Sequence, residues 1–207
     1  MKQYKATLTK EELNAHIAEN FEGEISVVNT IEEAEEAVKR LREEQFIGFD
    51  TETRPSFVKG ESHNVSLLQL SGESKCYLFR LNLIGMPDCL VKLLRSRKIK
   101  KIGLSTKDDF RALSALKSDL RPCNFVELQS YVSQFGIEEK SLSKVYAIVF
   151  GKRISKGQRL SNWEAEELGI KQQQYAALDA WATRRIYEEL EKQHDTEIAT
   201  ESNKEEK

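Results

Sequence analysis

The chain has 207 residues, 39% of them apolar and 32% charged, and 32 basic against 34 acidic side chains give a net charge of −2. That length suits one domain with a substantial core, and the near balance of charge excludes a uniformly basic nucleic-acid binder. No apolar run approaches the length of a membrane span, and the three widely spaced cysteines, Cys76, Cys89 and Cys123, argue against a disulfide framework or a zinc site.

The start, Met1-Lys2-Gln3-Tyr4-Lys5, lacks the apolar core of a secretory signal, so a cytoplasmic chain is expected. Thr9-Lys10-Glu11-Glu12 has the form of a capping box, with Leu13 and Ile17 following at helical spacing. Thr30-Ile31-Glu32-Glu33 repeats the signal before Ala34, Ala37, Val38 and Leu41. These patterns predict two helices around a short extended piece, Ile25 to Val28, and residues 1–22 read as an N-terminal helical extension. Further strands are predicted at Val65 to Leu70, Cys76 to Leu81, Ile99 to Leu104 and Phe125 to Leu128. Helices are predicted over Met86 to Arg95, Lys107 to Leu116, Leu128 to Phe135, Leu142 to Phe150 and Lys171 to Glu191. Successive strands followed by alternating helices and strands indicate an α/β chain with a mixed central sheet flanked by helices. The body then spans 23–191, and the polar, aromatic-free stretch 192–207 reads as a disordered tail.

The strongest chemical signal is Phe46-Ile47-Gly48-Phe49-Asp50-Thr51-Glu52. In an extended strand, positions i and i+2 project from one side, so Asp50 and Glu52 share a site and Thr51 faces away. Two like charges together require a proton or a cation, and hard divalent ions such as Mg²⁺ prefer oxygen ligands. Asp109 falls in the opening turn of the helix that carries Phe110, Leu113 and Leu116. Acids are favoured there on dipole grounds alone, an explanation that suffices for its neighbour Asp108. Tyr175 and Asp179, four apart on a predicted helix, are neighbours on one face, and the alanines around them let that helix lie close to a sheet.

Taken together, Asp50-x-Glu52, Asp109 with Leu113, and Tyr175-x-x-x-Asp179 resemble the three motifs of the DEDD superfamily of 3'-to-5' exonucleases, in its DEDDy branch. The flanking Val65-Ser66-Leu67-Leu68-Gln69-Leu70 and Ser161-Asn162-Trp163 are similar to ribonuclease D and the Werner exonuclease domain, and the resemblance spans roughly residues 25 to 190. Asp109 is chosen over Asp108 because its i+4 partner is Leu113, where Asp108 has Ala112. None of the three histidines, His16, His63 and His194, lies near the third motif, which disfavours the histidine-dependent sister branch.

The resemblance implies a ribonuclease H-like fold and a metal-dependent 3'-5' exonuclease that releases nucleoside 5'-monophosphates from single-stranded or frayed 3' ends of DNA or RNA. It implies two divalent ions, Mg²⁺ or Mn²⁺, about 3.5–4 Å apart, held by Asp50, Glu52, Asp109 and Asp179, with Asp50 bridging. Tyr175 then orients the attacking water, since an ordinary phenol with pKa near 10 is a poor base at neutral pH. The main chain at Thr51 contacts the terminal nucleotide in that family, which makes Thr51 a substrate-binding candidate. Trp163 reads as core.

Two basic clusters, Lys92 to Lys101 and Lys152, Arg153, Lys156 and Arg159, are candidate strand guides, the second favoured by its mobile glycines and its position before the third motif. Competing readings are a catalytically silent nucleic-acid-binding module of this fold, a ribonuclease D-like RNA-processing enzyme, and a scaffolding protein acting through its charged ends. Retention of all five motif residues counts against the silent module.

Overall fold

The structure, a computed structural model, describes the backbone of residues 3–205 and the side chains of 3–194. In chain order the elements are α1 (Lys10–Ala15), β1 (Ile17–Ala18), β2 (Glu24–Val28), α2 (Ile31–Leu41), β3 (Phe46–Thr53), β4 (Val65–Ser71), β5 (Lys75–Phe79), α3 (Leu81–Ile84), α4 (Asp88–Leu94), β6 (Lys100–Gly103), α5 (Thr106–Leu116), β7 (Phe125–Glu127), α6 (Leu128–Ser133), α7 (Leu142–Phe150), β8 (Lys152–Arg153) and α8 (Ile170–Glu205). Six strands form a mixed sheet in the order β2-β5-β4-β3-β6-β7. Within it β3 runs antiparallel to β4 and parallel to β6.

Residue alternation along the strands explains why this sheet has a core on each face. Ile47 and Phe49 of β3, with Leu68, Leu70 and Phe79, turn to the face covered by α2, α4 and α5. Leu67, Cys76, Leu78 and Ile102 turn to the face covered by α6, α7 and α8. β4 is therefore buried along its whole length. Both capping boxes form, with Thr9 accepting from the Glu12 amide and Thr30 from the Glu33 amide.

The approach of α8 to β3 sets the site. A Cβ built on Gly48 would lie 1.8 Å from the carbonyl oxygen of Ala180, so only glycine lets the helix backbone rest on the strand there. Thr183 reinforces the contact, its hydroxyl donating to the Ile102 carbonyl at 2.9 Å.

Three differences from the sequence expectations have plain causes. Ile17, expected on the first helix, is 79% exposed and pairs instead in a short parallel ladder, Ile17 with Lys152 and Ala18 with Arg153. The N-terminal segment is tied to the body by this pairing and by the buried Leu8 and Phe21, so α1 is only six residues of a strap. From Lys192, where a disordered tail is expected, the backbone continues as helix to Glu205, because extending a helix already nucleated by packing needs one hydrogen bond per added residue. Residues 206–207 of that expected tail lie outside the described residues.

Replacing Gly48 with alanine is expected to destabilise the fold by about 3 kcal/mol, the upper end of overpacking costs, because the obstacle is backbone. The Cβ of Gly157→Ala meets only the Ser155 hydroxyl at 3.5 Å and is expected to change stability by less than about 0.5 kcal/mol. Urea denaturation of the two variants beside the parent measures the contrast.

Candidate active site

Asp50 and Glu52 lie on the same face of β3 as Gly48, and Asp179 precedes Ala180 on α8, so the glycine contact carries all three carboxylates to one point. One oxygen from each of Asp50, Glu52 and Asp179 lies within 4.8 Å of the others. At Glu52/Thr53 the β3–β4 register shifts by one residue, and pairing resumes with Thr53 opposite Val65.

Tyr175, one turn before Asp179 on the same face of α8, stands close enough for its phenol and that carboxylate to act on each other. Trp163, fully buried as the sequence predicts, stands with its ring centroid 6.1 Å from that of Tyr175 and backs it. The loop carrying Trp163 is held by Arg80, whose guanidinium donates to the carbonyls of Glu166 at 2.6 Å and of Ala165.

Asp109 approaches from the other face. Thr51 points away from its flanking acids, toward α5, and its hydroxyl donates to the Asp109 carboxylate. Facing away from Asp50 and Glu52, as strand alternation predicts, the Thr51 side chain thus meets a carboxylate of another element. Phe110 packs on Phe49 at 6.0 Å and on Phe125 at 4.7 Å, which fastens the start of α5 to that face. Glu127 caps the helix, accepting from the Ser105 and Thr106 amides at 2.8 Å each. The structure therefore brings three of the four expected carboxylates into one group and sets Asp109 beside it, near enough to act on both Asp50 and Glu52. Asp108 is 79% exposed and paired with Arg111 at 2.7 Å, so the choice between the adjacent acids falls to Asp109.

Burial raises every one of these carboxyls, and repulsion from the other site acids adds to it at Asp50 and Glu52. Asp50 is pushed well above the ordinary range by burial and then by Asp179, Asp109 and Glu52. Burial, with Asp179 and Asp109, takes Glu52 to about 8. Asp179 rises to about 7 and Asp109 to about 6, chiefly by burial in each case. Such a donor set, all oxygen and costly to ionise unaided, suits a hard cation. Burial and the same acids also push the Tyr175 phenol up, so it keeps its proton at neutral pH.

A cavity of about 180 Å³ opens onto Asp50, Tyr175 and Asp179, and its wall includes Lys156 and Arg159 from the second basic cluster. The sequence marks that cluster by charge and by nearness to the third motif, but offers no way to say which of its cations reach the acids.

These shifts give a pH dependence. A carboxyl with a raised folded-state pKa contributes stability that is full below its unfolded value, near 4, and lost as pH climbs through the folded value. For Glu52, Asp179 and Asp109 that window lies between about 4 and about 8. In chelator the melting temperature is expected to fall between about pH 5 and pH 8.5, less so in Asp50→Asn, and Mn²⁺ or Mg²⁺ is expected to raise it more at the higher pH. Thermal melts across pH, with and without metal, read both effects.

Residues 25–195 match a family model described as 3'-5' exonuclease. Over 170 residues the chain is 34% identical to the bifunctional 3'-5' exonuclease/ATP-dependent helicase WRN of Mus musculus, an alignment covering 79% of this chain and 12% of that protein. The EXO domain of Aedes aegypti Nibbler superposes with a TM-score of 0.75 at 23% identity, covering 86% of this chain and 92% of that one. Escherichia coli RNase D gives a TM-score of 0.70 at 20% identity, covering 81% of this chain and 45% of that one. At those identities the structural likeness establishes the fold, which is ribonuclease H-like. The chain spans less than half the length of the curated relatives it matches, which include Drosophila proteins named 3'-5' exonuclease. The family match over most of the chain, on a site built from paired strand carboxylates and a tyrosine–aspartate helix, makes this chain a member of the 3'-5' exonuclease family.

Proposed function

We propose that the chain hydrolyses the terminal phosphodiester at the 3' end of single-stranded or frayed DNA or RNA and releases nucleoside 5'-monophosphates. The observation that carries this reading is the convergence of Asp50, Glu52 and Asp179 within 4.8 Å beside Tyr175. Those carboxylates would hold divalent cations, Mg²⁺ or Mn²⁺, as the DEDDy pattern implies, and Asp109 is the fourth acid of a two-ion set, held back by Thr51. Bound cations supply charge neutralisation for the phosphate and for the attacking and departing oxygens.

The protein's own groups do the positioning. Tyr175, protonated and one helical turn from Asp179, can hold a water by its hydroxyl and aim it, and its raised pKa makes it an orienting group rather than a base. Trp163 and the alanines of α8 keep that phenol in place against the sheet. Retention of every motif side chain at one strand end supports an enzyme over a silent binding module. The free thiols of Cys76, Cys89 and Cys123 support a reducing, cytoplasmic setting within the same proposal.

Asp50→Asn is expected to lower hydrolysis about 1,000-fold and Tyr175→Phe about 100-fold, the scale of losing a preorganised charge and an orienting group, with folding intact. Monophosphate release from a labelled single strand, measured in Mg²⁺, in Mn²⁺ and in chelator, tests this. Undiminished turnover by Asp50→Asn would overturn the proposal.

A further inference from the structure

The basic run before the third motif divides into two pairs that the structure uses differently. Lys152 and Arg153 are anchors. They form β8 and pair with Ile17 and Ala18 of the N-terminal strap. Lys152 Nζ meets Glu19 at 3.0 Å, Arg153 Nε donates to the His16 carbonyl at 3.1 Å, and the Glu19 amide donates to the Arg153 carbonyl at 2.9 Å. The other oxygen of Glu19 accepts from the buried Tyr146 hydroxyl at 2.9 Å, and Ser143 Oγ donates to the Ile154 carbonyl at 2.8 Å. The base of the loop is therefore fixed from both sides.

Lys156 and Arg159, a few residues on, have no such commitment. Both line the cavity that holds Asp50, Tyr175 and Asp179, and both belong to exposed residues that a strand in solvent can reach. Among the described residues neither side chain forms an ion pair within 4.0 Å. Each nonetheless faces an acid of the site, Lys156 acting on Asp179 and Arg159 on Glu52. Cations whose task was to neutralise those acids would sit in contact with them. Two that line the cavity with Asp50 and Asp179 and, among the described residues, keep their side-chain donors unspent are arranged for a ligand that brings its own negative charge.

We propose that Lys156 and Arg159 grip the backbone phosphates at the 3' end of the substrate strand, while Lys152 and Arg153, tied to the strap, hold the gripping loop over the carboxylates. This rests on the exonuclease reading above. It assigns a sequence-independent binding role to the second pair and a purely structural one to the first, although all four carry the same charge.

Kinetics on a labelled single strand separate the two roles. Lys156→Ala and Arg159→Ala are each expected to raise KM about tenfold, the size of one charge-assisted hydrogen bond, with kcat within about threefold of the parent. Each is also expected to flatten the plot of log kcat/KM against log salt by about 0.7, the single-strand value per neutralised phosphate. Arg159→Lys should restore that slope while recovering only part of KM, because the ammonium lacks the guanidinium fork. Lys152→Ala removes the same charge from the anchor and should leave the slope at its parental value. Melting curves of all variants report whether folding is intact. An unchanged KM and salt slope in the Lys156→Ala/Arg159→Ala double variant, with an active parent, overturns the grip, as does a Lys152→Ala slope equal to that of Arg159→Ala. A parent inactive on every strand overturns the exonuclease reading instead. Fluorescence anisotropy with a single strand in Ca²⁺ then decides the grip alone: weaker binding by the double variant sustains it, and equal binding or none in the parent refutes it.

Discussion

The rest of this molecule depends on one backbone contact, the seating of α8 on β3 where Gly48 meets the Ala180 carbonyl. Two residues further along the same strand face is Asp50, and immediately before Ala180 is Asp179. Any side chain at position 48 would lift the helix and draw the two acids apart, so the absence of a Cβ in the strand is what makes a carboxylate cluster geometrically available. The alanines at 176, 177, 180 and 182, all buried, extend the same close approach along the helix.

What the contact assembles is unfavourable in itself. Four partly or fully buried carboxyls at one end of a sheet all have raised proton affinities, chiefly by burial, and the fold holds them by cohesion elsewhere. The aromatic trio Phe49, Phe110 and Phe125 fixes the helix that carries Asp109, and Trp163, buried behind Tyr175, fixes the phenol. The sheet also separates the acids by face. Asp50, Glu52 and Asp179 meet on one side, while Asp109 comes from the other and is met by Thr51, the residue that alternation sends there.

Much of this was legible from residue order. The period-two pattern of β3 puts Asp50 and Glu52 on one side, the i,i+4 spacing puts Tyr175 beside Asp179, and the capping boxes at Thr9 and Thr30 start helices where they were read. These are local rules, in which the partner lies within a turn or a pleat. Legibility failed where the partner is distant. Nothing near Ile17 says that it will pair with Lys152, nothing near Thr51 says that its hydroxyl will find Asp109, and nothing in the basic run separates its anchors from the cations that line the cavity.

By itself, then, the order of residues determined which side chains could act and from which kind of element each would project, because strand and helix periodicities follow from backbone geometry alone. Tertiary structure decided which of them meet: three acids grouped and one held across the sheet, two cations spent on the N-terminal strap and two turned to the cavity. The reason is physical. Convergence depends on how closely a helix and a strand can approach and on which distant groups compete for the same hydrogen bond, and both are properties of the packed whole.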